Sequence, residues 1–165
     1  ATVQLLGWDK ATQNGLFVGS FNDQNQARTI TDGLLDQGAD VIMPVAGTLV
    51  EASGAAIRER GGDVALIGVN SDAYDAAPGI KDLFLTSVMK NLTTAAEAVT
   101  LEAADGSFTN VPYIGTLAND GVGIAPLHDW QSKVPAALWD EVQQLQGDII
   151  SGSFKVESQS SPEAD

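Results

Sequence analysis

The sequence predicts an α/β fold: a mainly parallel sheet flanked by helices, then a β-hairpin and a C-terminal helix. Three observations predict it. Apolar runs bounded by glycine recur at "ADVIMPVAG" (39–47) and "DVALIGVN" (63–70), the pattern of strands buried on both faces. Stretches of helical spacing alternate with them through short links, which calls for parallel βαβ units with right-handed crossovers. The chain has 165 residues and is 44% apolar, enough for one domain with its own core.

"VQLLGW" (3–8) reads as a strand, "DKATQNG" as a polar loop and "LFVGSF" (16–21) as a second, shorter extended segment. Asp23 and Gln26 are spaced as a capping box. Ala27, Ile30, Leu34 and Leu35 then recur at helical spacing up to Gly38, a suitable stop. After the 39–47 strand, Thr48 is a candidate N-cap. The small residues Ala52, Gly54, Ala55 and Ala56 predict a helix lying close to a sheet, ended by Gly61 and Gly62. "KDLFLTSVMK" (81–90) is a further strand. "NLTTAAEAVTLEAA" is a helix with Leu92, Ala95, Ala96 and Val99 on one face. The last third changes character. "FTNVPYIGTLANDGVGIAP" (108–126) reads as two extended runs joined at "NDG", a hairpin signal. "VPAALWDEVQQLQGDIISG" is an amphipathic helix with Pro135 near its first turn and Leu138, Val142 and Leu145 inward. "SFKV" reads as a terminal strand, and the polar, acidic tail 157–165 as disordered.

Charge and composition narrow the function. Twenty-two acids against 8 bases, net −14, would repel nucleic acid and an anionic membrane. A neutral or cationic small ligand fits better. The absence of cysteine excludes disulfides, Cys-zinc sites and thiol catalysis. No run approaches the ~18 apolar residues of a membrane span. The chain opens directly on core-like sequence without a signal peptide or lipid-anchor segment, so a fragment or a processed product is expected. No phosphate loop, dinucleotide fingerprint or G-x-S-x-G elbow occurs. Asn70, Asp72 and Asp75 are spaced like a calcium loop, but its sixth position is Asp75 and its twelfth Lys81, which rejects it. The single histidine, His128, reads as an ordinary surface or core residue. No metal, cofactor or catalytic residue is expected.

In an open parallel sheet, ligands sit beyond the carboxyl ends of the strands. Those ends carry Trp8, Gly47 and Thr48, Asn70 and Asp72, and Lys90. An aromatic face, a close-approach glycine with a hydroxyl, an amide, a carboxylate and an ammonium suit a polyhydroxylated ligand bearing a ring. Asn70 and Asp72 can bind hydroxyls, Lys90 can donate to a ring acceptor, and Trp8 or Phe21 can stack on a base. The same residues are also ordinary turn formers and caps, so the pattern by itself leaves both readings open. It also leaves open an enzyme on a flavodoxin-like sheet, for which Asp72 with Lys90 is the one acid–base candidate.

The segments "GSFNDQNQA", "GADVIMPVAG", "IGVNSDAY", "LTSVMK", "NDGVGIAP" and "DIISGSFKV" resemble, in order and spacing, the BMP family. These are the basic-membrane-lipoprotein type substrate-binding proteins of ABC transporters, which include purine-nucleoside binders. The resemblance runs from about Val3 to Val156. It implies one part of a type I periplasmic-binding-protein fold: residues 1–156 as a partial second lobe, with 91–126 crossing the hinge. It implies a small-molecule ligand, a purine nucleoside first among candidates, held between two lobes and passed to a permease without chemistry. It also implies an extracytoplasmic, lipid-tethered location for the full-length form. Asn70 stands where the family has an Asp that resembles a sugar-hydroxyl ligand. Asp72 matches the second acid of that segment, and Lys90 the lysine of "TS-x-x-K". "AGTLVEASG" replaces a Gly-rich stretch and predicts a bulkier pocket wall at Leu49 and Val50. A chain without the first lobe would carry half a site and an uncovered apolar face. This predicts a homodimer or domain swap, or else a truncated fragment with no ligand binding of its own.

Overall fold

Asp23 starts the first helix as a capping residue should: its carboxylate accepts a bond from the Gln26 amide at 2.9 Å. The computed structural model describes residues 3–9 and 11–156. In it α1 spans Gln24–Asp36, buries Ala27, Thr31 and Leu35, and is followed by Gly38 with φ +87°. Helix α2 (Val50–Arg60) buries Ala52, Ser53, Gly54, Ala56 and Ile57. The small residues do allow a close approach, but at Gly54 it is to the 3-10 stretch Pro78–Leu83 rather than to the sheet. A β-carbon on Gly54 would stand 2.8 Å from the Ile80 side chain. Thr48 does not cap this helix; it lies inside a single 3-10 turn, Gly47–Leu49, that leads into it.

The main sheet has four strands in the order β3 (Val41–Ile42), β4 (Ala65–Asn70), β5 (Phe84–Lys90) and β6 (Val122–Ile124). β3, β4 and β5 are parallel, and β6 runs antiparallel to β5 with Val88 opposite Ile124. Leu66, Phe84, Ile57, Ile42, Leu35, Ala56 and Ile80 form the core between the sheet and the helices. The fold is thus α/β with a mixed, mainly parallel sheet, as the alternation of apolar runs predicts.

Several elements differ from the sequence reading. The run 3–8 does not enter the sheet. Only Trp8–Asp9 (β1) is a strand, paired antiparallel with Asn14–Gly15 (β2) in a local hairpin. Leu16–Phe21 forms no strand and leaves Phe17 and Phe21 exposed. β3 is short, and only Ile42 of it is buried while Val41 and Met43 are exposed. Pro44 lacks the N–H that would extend the ladder, and β3 is the edge strand of the sheet. Residues 108–126 form no hairpin. Asn119 Oδ1 accepts from the amides of Thr116 at 2.7 Å and Gly121 at 3.0 Å, so a side chain takes bonds that a second strand would have offered. Only Val122–Ile124 remains as strand, and it pairs with β5.

Helix α3 is four residues, Ala73–Ala76. Helix α4 (Leu92–Asp105) and helix α5 (Ala136–Ser151) bury no residue. Leu138 and Leu145, read as inward, are exposed, as is Leu92 of the α4 face. Ser153–Val156 is not a strand; it follows Gly152, which ends α5 in the left-handed region. The predicted disordered tail, 157–165, lies outside the described residues. No helix among those described is long and apolar enough to cross a membrane.

Candidate functional site

The carboxyl ends of β4 and β5 lie side by side, with Asn70 opposite Met89 and Lys90 one residue beyond. Asn70 has φ +74°, and the Ser71 amide bonds back to the Val69 carbonyl at 3.0 Å. A bond across one intervening residue with positive φ is a tight γ-turn, a strained geometry. Backbone strain of this kind persists only where surrounding structure enforces it. The turn ends β4 and leaves Asn70 exposed. Lys90 is exposed as well. At the β3 end of the same rim, Gly47 has φ +59°, and a β-carbon there would stand 4.0 Å from the Phe21 ring. Phe21 precedes α1 and is 72% exposed; Thr48 is exposed beside it. Phe21 and Gly47 thus lie together, with Thr48 next in the chain after β3, and Asn70 and Lys90 at the neighbouring ends of β4 and β5. The first group offers a ring face, an unhindered backbone and a hydroxyl; the second offers an amide and an ammonium.

Asp72 holds a different position. Its Oδ1 accepts from the Tyr74 amide at 3.1 Å and so caps α3. Its Oδ2 lies 2.7 Å from His128 Nε2, and both side chains are mostly buried. The His128 ring stacks on Tyr74 with centroids 4.1 Å apart. Tyr74 donates its hydroxyl to Asp129 at 3.2 Å, and Lys81 Nζ stands 4.9 Å over the Tyr74 ring. Both carboxylate oxygens of Asp72 are thus engaged within the chain, one of them on a residue 56 positions away. The acid–base candidate Asp72 with Lys90 therefore has its acid tied to His128 and to the α3 amide. Among the described residues, no cluster of three or more metal-ligating side chains occurs.

Trp8 is not at the rim. It lines a hollow with Asp9, Thr12, Asn14 and Gln37, and Gln37 is the C-cap of α1. Phe21 and Gly47 flank the other end of that helix. Thirteen helical residues separate the two ends, about 20 Å at 1.5 Å per residue. Strand-end logic failed here because the Trp8 strand belongs to a separate hairpin. Leu49, expected to thicken the pocket wall, is instead fully buried against Ala27 and Ala52, and Val50 packs against the core.

Three residues of the rim's support were not singled out as functional from sequence. His128 and Tyr74 meet Asp72 only through tertiary folding. Ser87 is fully buried, and its Oγ accepts from the Ala73 amide at 3.0 Å. Gly68 leaves the room: a β-carbon there would collide with both Ala73 Cβ and Ser87 Oγ. The one legible signal was a hydroxyl and a glycine inside otherwise apolar strands.

A family model described as "ABC transporter substrate-binding protein PnrA-like" (Bmp) matches residues 15–160. An uncharacterized lipoprotein of Mycoplasma genitalium is 29% identical over 162 residues, covering 87% of this chain and 27% of the relative. Its Mycoplasma pneumoniae homolog is 30% identical over 144 residues, covering 76% of this chain and 22% of the relative. Among solved structures, an ABC transporter solute-binding protein from Conexibacter woesei has TM-score 0.67 at 24% identity, covering 86% of this chain and 45% of that one. A second, from Aeropyrum pernix, has TM-score 0.70 at 21% identity, covering 87% and 47%. The chain thus spans about a quarter of the length of the curated relatives and just under half of the solved ones.

Proposed function

The chain belongs to the Bmp family of PnrA-like ABC transporter substrate-binding proteins, and from that premise we propose that it is the second lobe of an extracytoplasmic solute receptor. In this reading it holds a neutral, polyhydroxylated ligand at the carboxyl rim of its sheet, with a purine nucleoside as the first candidate. The reading is supported by Asn70 and Lys90 ending the neighbouring parallel strands β4 and β5, and by the exposed Phe21 ring beside Gly47 after β3. Phe21 stacks on the base, and Gly47 admits the ligand close to the backbone. Thr48 and Asn70 bond hydroxyls, and Lys90 donates to a ring acceptor. Asp72 supports the site by holding its turn. The family is one of substrate-binding proteins, which fits a receptor rather than an enzyme. Residues 1–156 form the lobe, and 91–126 lead toward the hinge. The partners are a small molecule and, in the complete receptor, an ABC permease. Where the chain stands by itself, a second copy covers the apolar faces of α4 and α5; a monomer by light scattering at micromolar concentration would overturn that last point.

Calorimetric titration with guanosine, inosine, adenosine and ribose tests the reading, on this chain and on the chain joined to a first lobe. Binding by the two-lobed form is expected. Lys90→Ala and Asn70→Ala each weaken it, Lys90 by roughly tenfold to a hundredfold, the range for a hydrogen bond to a charged group. A two-lobed form that ignored nucleosides and sugars alike would overturn the assignment.

A further inference from the structure

Four non-glycine residues with positive φ occur among the described residues, and two of them, Asn70 and His128, are joined through Asp72. Asn70 has φ +74° and His128 φ +43°. Ordinary residues avoid this region, so each marks a backbone held from outside. α3, which follows the Asn70 turn, is too short to hold itself as a helix. Its start is instead anchored from three directions. Ser87 Oγ on β5 takes the Ala73 amide, Asp72 Oδ1 takes the Tyr74 amide, and His128 takes Asp72 Oδ2. His128 itself rides on a strap that leaves β6 and crosses β5. The Ala125 amide bonds the Ser87 carbonyl at 2.9 Å, and Trp130 Nε1 bonds the Asp82 carbonyl at 3.0 Å.

Resting on the solute-binding reading above, we infer that His128 is a positioning residue for the ligand site: it holds Asp72 so that the strained turn stays closed and Asn70 faces the rim. His128 is not needed to complete the core, which is built of aliphatic residues and Phe84. What it supplies is a tether between the last strand's strap and the two residues after Asn70. With the tether cut, the turn relaxes toward extended backbone, which any residue prefers, and the Asn70 amide leaves its place.

The test compares His128→Ala with His128→Gln, whose side-chain amide still reaches Asp72 with an N–H. NMR backbone couplings report φ at Asn70, and hydrogen exchange reports the Ala73 amide. His128→Ala should average the Asn70 turn and speed Ala73 exchange about tenfold, as loss of a charged partner's hydrogen bond implies. Amides of Ile57 and Leu66 should keep their rates, and His128→Gln should restore both readings. An unchanged Asn70 and Ala73 in His128→Ala would overturn the inference. So would a loss of protection spread evenly through α2 and β4, since that is a merely structural role. If His128→Ala does not fold, Tyr74→Leu removes the stacking under the imidazole and is read the same way. In the two-lobed form, guanosine affinity should fall in His128→Ala and return in His128→Gln. Should wild type bind no nucleoside, the functional reading fails while the NMR and exchange results still decide the role of His128.

Discussion

Helices α1 and α5 carry apolar residues at similar spacing, yet only α1 buries any. α1 and α2 meet at a buried hydroxyl pair, Thr31 Oγ1 and Ser53 Oγ at 2.8 Å. Around it Arg28 forks onto Glu59, and Arg60 pairs with Asp36 at 2.5 Å. α4 and α5 leave Leu92, Leu101, Leu138, Leu145 and Ile150 exposed. An amphipathic pattern states that a face needs cover; it does not say which element provides it. The core face of the sheet finds that cover in α1, α2 and α3, whereas α4 and α5 bury no residue.

The sharpest way to break this contrast is to injure the packed region. Phe84 is 2% exposed and sits opposite Leu66 across the β4–β5 ladder. Phe84→Ala should cost about 3–5 kcal/mol by urea unfolding, the usual range for a buried phenylalanine. Ser87→Ala comes next. It strips the Ala73 amide of its acceptor in a fully buried place, and an unsatisfied buried donor costs about 1–3 kcal/mol. Should Ser87→Ala prove neutral, α3 would not depend on its β5 anchor.

What could be read in the sequence follows the same divide. The capping pair Asp23 and Gln26, the strands at 65–70 and 84–90 and the stop glycines all depend on neighbours within a few residues, and they were legible. Asn70 and Lys90 end neighbouring strands because β4 and β5 are parallel, the polarity that the βαβ alternation calls for. Trp8 was misplaced because its strand found a partner six residues later in a local hairpin. His128 was passed over because nothing local marks it; its partners are at 72 and 74. The hairpin expected at 108–126 failed because Asn119 closes the turn with its side chain. Periodicity reports what a segment can do, and contacts at long range decide which option it takes.

A smaller effect, and one that depends on pH, lies at the edge of the packed region. The hydrogen bonds from Arg28, and then its charge, hold the Glu59 carboxyl below its ordinary value of 4.5. A lowered folded value means the pair stabilises the native state above the ordinary carboxyl value, and that this contribution is lost as pH falls through the lowered one. The pair is solvent-exposed, so the gain is slight and screened by salt. Glu59→Gln should therefore melt slightly below wild type at pH 7 and level with it in strong acid. A gap that widened on acidification would contradict the pairing.

The smallest expected effect is the most informative about the second region. Leu145 lies mid-way along α5 and is 43% exposed. At a dilution where the chain is monomeric, Leu145→Ser removes little buried area, so its unfolding midpoint should stay within about 0.5 kcal/mol of wild type. A 16-residue helix with no buried face is marginal alone, so α5 amides should exchange well before those of α2 or β5. Joining the chain to a first lobe, or raising its concentration until two copies associate, should reverse both results: α5 gains protection and Leu145→Ser becomes costly. If Leu145→Ser already destabilised the dilute monomer as Phe84→Ala does, α5 would belong to the same cooperative unit as the sheet, and the contrast between the two regions would fail.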